Sequence, residues 1–104
     1  MFLYSARLCL PTILIFLGSW VPLAHALDTV TLQLKWSHAF QFAGYYAAKE
    51  KGYYREAGLD VVIQEASPGD DPLKVVLGGK AQYGVGNSSL LLARNSGQPV
   101  VVLA

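Results

Sequence analysis

Residues 32–58 read LQLKWSHAFQFAGYYAAKEKGYYREAG, and this stretch decides the fold. Apolar and polar side chains alternate over residues 29–36, which predicts a β-strand. A loop over 37–41 follows, and a helix is expected over 42–51, ending at Gly52. One further helical turn is expected over 53–57, closed by Gly58. Gly44 and Ala48 stand four residues apart, so this helix is expected to pack closely against the sheet. A strand that passes through a polar and aromatic loop into a helix is where open α/β domains bind ligands.

The first 26 residues have the pattern of a secretory signal peptide. A short segment with Arg7 precedes an apolar run over 8–17, and AHA at 24–26 is a cleavage signature. The apolar run is shorter than the roughly 20 residues of a membrane span, although a retained signal anchor remains an alternative. We therefore expect a signal peptide over 1–26 and a periplasmic protein.

Composition excludes several classes of protein. Without Arg7, seven basic residues face seven acidic ones, and no basic patch indicates nucleic-acid binding. Cys9 is the single cysteine and lies in the expected leader, so residues 27–104 have no thiol chemistry. An exported chain that is near neutral and free of cysteine is typical of the bacterial periplasm.

Strand and helix patterns alternate through the rest of the chain. Strands are expected over 59–65, over 81–86 and from residue 99 onward. Asp71 and Pro72 predict the start of a helix that ends at 78–79, and residues 87–89 cap another that ends at Gly97. The order β-α-β-α-β-α-β predicts a parallel sheet with right-handed crossovers and flanking helices. The apolar run at 99–104 has no turn after it, so 27–104 are interpreted as the truncated N-terminal part of a larger binding domain.

The loops at 37–41, 66–71 and 86–89 are expected at one edge of this sheet. The first loop and its helix offer these candidate ligand contacts: Trp36, His38, Gln41, Tyr45 and Tyr46. Flat aromatic surfaces beside an amide suit a planar heteroaromatic ligand. The two tyrosines are about 100° apart on a helix, so at most one is expected to face the cleft. Alternatively, Trp36 and Phe42 belong to the core, and His38 is a hydrogen-bonded surface residue.

The other two loops add polar groups at helix N-termini. In the second loop, backbone N–H groups around Gly69 could bind a polar ligand edge, although capping by Asp70 and Asp71 is the alternative. In the third loop, Asn87 and Ser88 are candidate contacts, because N-capping explains one of these residues but not the whole polar run.

Signatures of catalysis are weak in this sequence. GVGNSS at 84–89 lacks the third glycine of a dinucleotide-binding loop. His38 is the single histidine beyond the leader, which does not make a metal site, and no base for Ser88 or Ser89 is visible. We therefore expect a protein that is not an enzyme and needs neither a cofactor nor a metal.

Several stretches together resemble a known family. They are LKW at 34–36, GYYAA at 44–48, KGYYREAGLDV at 51–61, VLGGKAQYGV at 76–85 and RNSGQPVV at 94–101. In this order they resemble the thiamine-pyrimidine-synthase-like, pyrimidine-precursor-binding branch of the periplasmic substrate-binding proteins.

The resemblance implies a fold of the type II periplasmic-binding-protein class, of which this chain is the first half of lobe one. It also implies a solute-binding protein that captures a pyrimidine-like thiamine precursor for an ABC importer and closes over it. The implied contacts are Trp36, Tyr45 or Tyr46, and the turn at Asn87 and Ser88. The Pro-Asn pair and histidine common in the first loop of that family are replaced here by His38-Ala39 and Phe42.

Two alternatives to an importer-linked protein remain open. LQLKW and FQFAGYYAA also resemble periplasmic input domains of membrane-bound bacterial sensor proteins, in which the partner would be a fused signalling module. The other alternative is an enzyme of pyrimidine synthesis, but the cysteine-rich motif of the eukaryotic synthases has no counterpart in residues 27–104.

Overall fold

The structure, a computed structural model, describes residues 26–103 as a small α/β unit. The strands are β1 (Asp28–Gln33), β2 (Leu59–Gln64) and β3 (Tyr83–Gly84). The helices are α1 (Ala43–Glu50), α2 (Tyr53–Glu56), α3 (Pro72–Leu77) and α4 (Ser89–Asn95), and a 3-10 turn at Phe40–Phe42 leads into α1. The expected signal peptide lies outside the described residues, except for Ala26.

The three strands form one parallel sheet in the order β2-β1-β3. Asp28 of β1 is paired with Leu59 of β2, and Leu32 of β1 is paired with Tyr83 of β3. In the chain, α1 and α2 lie between β1 and β2, α3 lies between β2 and β3, and α4 follows β3. The expected parallel sheet with flanking helices is thus confirmed.

The third strand is shorter than the predicted 81–86. Gln82 donates its backbone N–H to Thr31 O (3.2 Å), while its own side-chain Oε1 accepts the backbone N–H of Thr31 (2.8 Å). Where β3 begins, the side-chain amide oxygen of Gln82 thus accepts the Thr31 N–H in place of a backbone carbonyl. The strand pairing itself covers Tyr83 and Gly84 alone.

The predicted fourth strand is wrong for the part of the chain that the structure describes. Residues 98–103 have no strand conformation and pair with no edge of the sheet. Arg94 Nη1 instead donates to Val100 O (2.6 Å), which folds the segment back on α4. A strand needs a partner along its backbone, and this segment has none beside it.

Helix boundaries follow the predicted signals closely. Asp71 Oδ1 accepts the backbone N–H of Leu73 (3.0 Å), so Asp71 is the N-cap of α3 and Pro72 is its first residue. Gly52 and Gly58 adopt left-handed conformations, with φ of 80° and 79°, in the turns that follow α1 and α2. The side chain of Lys49 on α1 reaches β2, where its Nζ donates to Val61 O (2.8 Å).

The buried side chains are few and include one polar group. The apolar ones are Leu34, Phe42, Val61, Ala81 and Val100. Phe42 is therefore a core residue, as one alternative predicted, whereas Trp36 is exposed. Gln33 is completely buried, although the alternation of β1 puts it on the polar face.

One packing prediction fails at Gly44. A Cβ added to this glycine would meet no other heavy atom within 4 Å, and the residue is exposed. Within residues 26–103, Gly44 is therefore not a point of close approach between α1 and the sheet.

Candidate functional site

The three strand-to-helix loops meet in a cleft at the carboxyl ends of the strands. The cleft has a volume of about 550 Å³. Its walls are Lys35, Trp36, Gln41, Asp70, Asp71, Pro72 and Asn87. The structure thus brings together three of the predicted contacts, Trp36, Gln41 and Asn87, from the first and third loops. Ligand contact by these residues stays a prediction.

A break in the hydrogen-bond ladder between β1 and β2 places the first loop. Leu34 donates its N–H to Gln64 O (2.8 Å), and regular parallel pairing would then direct the N–H of Ala66 to Leu34 O. Ala66 N–H instead donates to Trp36 O (3.1 Å). The segment that continues β1 therefore has two extra residues, Lys35 and Trp36, between these two hydrogen bonds. Both residues line the cleft.

The side chain of Gln33 fills this break. Its Nε2 donates to Leu34 O (3.0 Å) and to Glu65 O (3.2 Å), so one amide group serves a carbonyl of each chain. Its Oε1 is buried without a hydrogen-bond partner among the described residues. Gln33 thus joins the segment that follows β1 to the segment that follows β2, three residues before Trp36.

The aromatic wall of the cleft is Trp36, which is 65% exposed. Gln41 lies beside it on the 3-10 turn. Phe40, only four residues from Trp36, is 92% exposed but does not line the cleft. Together with Lys35, the first loop therefore presents one indole ring and one amide to the cleft.

The opposite wall comes from the start of α3. Asp70 Oδ2 accepts the N–H of Ser67 (2.7 Å), which closes the 67–70 turn, and Asp71 caps the helix. These bonds occupy one oxygen of each carboxylate, and the second oxygens have no hydrogen bond or ion pair within residues 26–103. Sequence reasoning treated both aspartates as caps and missed them as cleft residues, although their place after a strand end was a usable signal.

Asn87 closes the third side of the cleft. Its Oδ1 accepts the backbone N–H of Ser89 (2.9 Å), which supports the first turn of α4. Its side-chain NH₂ group has no hydrogen-bond partner within the described part of the chain. Asn87 is thus both a helix support and a donor at the cleft, whereas Ser88 makes no side-chain cap.

The other predicted contacts in the first loop form a separate cluster. His38 Nδ1 is hydrogen-bonded to the hydroxyl of Tyr46, and the two rings meet edge to face with centroids 5.7 Å apart. His38 N–H donates to Glu65 Oε2 (3.2 Å), and the imidazole Nε2 lies 3.8 Å from the same oxygen. Neither His38 nor Tyr46 lines the cleft. Sequence reasoning missed Glu65, because its partner stands 27 residues earlier in the chain.

Three further predicted contacts lie elsewhere in the structure. Tyr45 and Ser88 line a larger apolar groove of about 990 Å³, not the cleft. Tyr54 lines the same groove. Its pKa is raised mainly by burial and, to a smaller extent, by the nearby Tyr45 hydroxyl. Gly69 has φ of 92° in the 67–70 turn and does not line the cleft.

Residues 26–103 contain no group of three or more His, Cys, Asp or Glu side chains that could hold a metal ion. Over the same range, no helix is long and apolar enough to cross a membrane.

Comparison with known proteins gives two similar relatives. A formylaminopyrimidine-binding protein of Halalkalibacterium halodurans is 34% identical over 80 residues, which cover 76% of this chain and 24% of the relative. The riboflavin-binding protein RibY of Chloroflexus aurantiacus is 36% identical over 77 residues, which cover 71% of this chain and 22% of the relative. The chain thus spans about a quarter of the length of these relatives. No solved structure matches it.

The family model described as NMT1/THI5 like matches residues 39–104. The match begins in the first loop of the cleft and includes α1 through α4. Together with the two relatives, it confirms the resemblance to pyrimidine-precursor-binding proteins. The chain belongs to the NMT1/THI5-like family.

Proposed function

We propose that this chain is part of an extracytoplasmic solute-binding protein that captures a small planar heteroaromatic ligand. The observation that carries the proposal is the cleft in which Trp36 lies with the amides of Gln41 and Asn87. An indole face stacks on a flat ring, and amides at its rim hydrogen-bond to ring nitrogens and exocyclic groups. The cleft lies where the loops of a parallel sheet converge, which is the usual ligand position in such folds.

The relatives support the same class of ligand. One is named for formylaminopyrimidine and the other for riboflavin, and both compounds contain a planar ring with nitrogen atoms. A pyrimidine-like thiamine precursor is the narrower proposal, from the resemblance of the chain to pyrimidine-precursor-binding proteins. The amide NH₂ of Asn87 supplies two donor hydrogens at the cleft, and the second oxygens of Asp70 and Asp71 supply acceptors.

The proposed mechanism is capture by closure, without catalysis. Ligand in this cleft would contact a second lobe, and contacts to both lobes would stabilise the closed form. An ABC importer would then recognise that form. The proposed signal peptide over 1–26 directs the protein to the periplasm, so N-terminal sequencing of the exported protein should begin at Leu27. An unprocessed N-terminus would contradict the cleavage and favour a retained anchor.

A second candidate is a ligand-sensing input domain of a membrane-bound signalling protein. It uses the same cleft and differs in the partner that reads the closed form. The stretches LQLKW and FQFAGYYAA favour this candidate, because they resemble periplasmic input domains of bacterial sensor proteins. Co-purification of the intact protein with ABC transporter membrane subunits would support the importer, whereas a signalling module in the same polypeptide would support the sensor.

The binding proposal is tested by titrating the intact protein with formylaminopyrimidine, riboflavin and the thiamine pyrimidine, using calorimetry. Trp36→Ala should weaken binding of the compound that binds by roughly 5- to 150-fold, because stacking on an aromatic side chain contributes about 1–3 kcal/mol. Phe40→Ala is the matched control, since Phe40 is exposed in the same loop and outside the cleft. Equal affinities of the two variants would contradict the stacking role of Trp36.

A further inference from the structure

Glu65 is the point at which the first and second of the three cleft loops are joined. Its backbone C=O accepts from Gln33 Nε2 (3.2 Å), and the next N–H, that of Ala66, donates to Trp36 O (3.1 Å). Its side-chain Oε2 accepts the backbone N–H of His38 (3.2 Å). Residue 65 and its neighbour therefore bind the first loop on both sides of Trp36.

The same segment leads directly into the opposite wall of the cleft. Five residues after Glu65, the chain reaches Asp70 and then the N-cap of α3. The position of Trp36 relative to Asp70 and Asp71 thus depends on how firmly the first loop is attached at residue 65. We propose that Glu65 is a positioning residue, which fixes Trp36 at the cleft by holding the backbone of His38.

The hydrogen bond to the His38 backbone accounts for this role better than the ion pair does. The imidazole Nε2 and Glu65 Oε2 are 3.8 Å apart, and both side chains are about half exposed, so solvent screens their attraction. A carboxylate that accepts a backbone N–H makes a directional, charge-assisted bond. Tyr46, hydrogen-bonded to Nδ1 of His38, holds the same loop residue from α1.

Two substitutions separate these contributions. Glu65→Ala removes the acceptor, whereas Glu65→Gln keeps an amide oxygen that can accept the same N–H and removes the charge. Glu56→Ala is the control for loss of an exposed acid, because Glu56 lies on α2, outside the cleft. Circular dichroism and a thermal melt establish that each variant is folded.

The first measurement needs no ligand. In the intact protein with Trp36 as its single tryptophan, time-resolved fluorescence anisotropy reports how freely the indole moves. Glu65→Ala should shorten the local correlation time, and Glu65→Gln should shorten it less, because the acceptor remains and its charge is lost. Glu56→Ala should match the parent protein. An unchanged indole in Glu65→Ala would overturn the proposal, and so would an equal loss in Glu65→Gln, which would indicate that the charge matters and the acceptor does not.

The second measurement rests on the proposed function. Glu65→Ala should weaken binding of formylaminopyrimidine or riboflavin by about threefold to tenfold, the scale of one hydrogen bond, and Glu65→Gln should restore most of it. If Glu65→Ala loosens Trp36 while the parent protein binds neither compound, the positioning role stands and the proposed ligand class fails. If the compounds bind and Glu65→Ala changes neither measurement, the positioning role alone is wrong.

Discussion

Gln33 shows how one buried side chain can fix the backbone beside the cleft. A buried amide normally uses all of its polar groups, because a buried group without a partner costs free energy. Here the NH₂ group is used twice and Oε1 is not used within residues 26–103. The residue is therefore held for its donors, which join the carbonyls of Leu34 and Glu65.

The use of the Gln33 NH₂ group as a donor to two carbonyls predicts how the stabilities of Gln33 variants should rank. Gln33→Met keeps the shape and leaves the Leu34 and Glu65 carbonyls without these donors, so the free energy of unfolding should fall by about 1–3 kcal/mol. Gln33→Glu should cost more at neutral pH, because a buried carboxylate would face two carbonyl oxygens. Burial raises the pKa of such a carboxyl, so the stability of Gln33→Glu should be greatest at low pH and decrease as pH rises.

Urea unfolding of the intact protein at several pH values measures both effects. The stability of Gln33→Met relative to the parent protein should change little with pH, which makes it the matched control. A Gln33→Glu protein as stable as Gln33→Met at neutral pH would contradict the assigned role of the amide.

Two glycines differ in what a methyl group would meet. A Cβ at Gly86 would lie 2.5 Å from Cδ1 and 3.0 Å from Cγ of Leu90, whereas one at Gly44 would meet nothing within 4 Å. Gly86→Ala should push the Leu90 side chain out of its present rotamer, and should destabilise the protein by about 0.5–1.5 kcal/mol. Gly44→Ala should stabilise α1 by roughly 0.5–1 kcal/mol, since Gly44 is helical and exposed.

Thermal melts of the two variants test this contrast directly. They should shift the melting temperature in opposite directions. A destabilised Gly44→Ala would indicate that another part of the protein packs against α1 at this position.

Among the elements, α3 is the one whose start forms a wall of the cleft. Its six residues are too few to be stable as an isolated helix, so the N-cap matters. Asp71→Ala should lower the free energy of unfolding by about 0.5–2 kcal/mol by removing the bond to Leu73 N–H. Lys74→Ala, an exposed change on the same helix, should have a smaller effect on a chemical denaturation curve. Similar losses in both variants would show that the cap is not the main source of stability.

The elements also show which features the sequence can predict. The cap at Asp71 and the turns at Gly52 and Gly58 were predictable, because each depends on residues within a few positions. The strand predicted from residue 99 onward is wrong over the described residues 99–103, since the apolar side chains match a strand but the backbone has no partner. The burial of Gln33 and the role of Glu65 depend on residues about 30 positions apart, which periodicity does not reveal. Trp36, Gln41 and Asn87 were placed at the cleft because the loops of a parallel sheet share one edge.

At the scale of the whole molecule, the apolar groove leaves large side chains uncovered within residues 26–103. Leu91, Val101 and Leu103 are each more than two-thirds exposed and line it. Contiguous apolar surface of this kind promotes association. A polypeptide of residues 27–104 should therefore self-associate as its concentration rises, and sedimentation velocity measures this. Leu91→Lys should reduce the association, whereas the exposed change Lys80→Ala should not; equal association of both variants would contradict a role for the groove.

The bond from Lys49 to Val61 has a consequence for how this sheet can grow. Gly58 and Gln64 bind β1 through their carbonyls, so the carbonyl of odd-numbered Val61 points away from β1, toward the outer edge. An unpaired strand edge is a template for another strand, and a lysine placed across it is a common defence against such pairing. With Lys49 over β2, addition of a strand is disfavoured on that side and open beside β3. A further strand would therefore pair with the β3 edge of the sheet, on the side of Asn87, and not with the β2 edge that Lys49 covers.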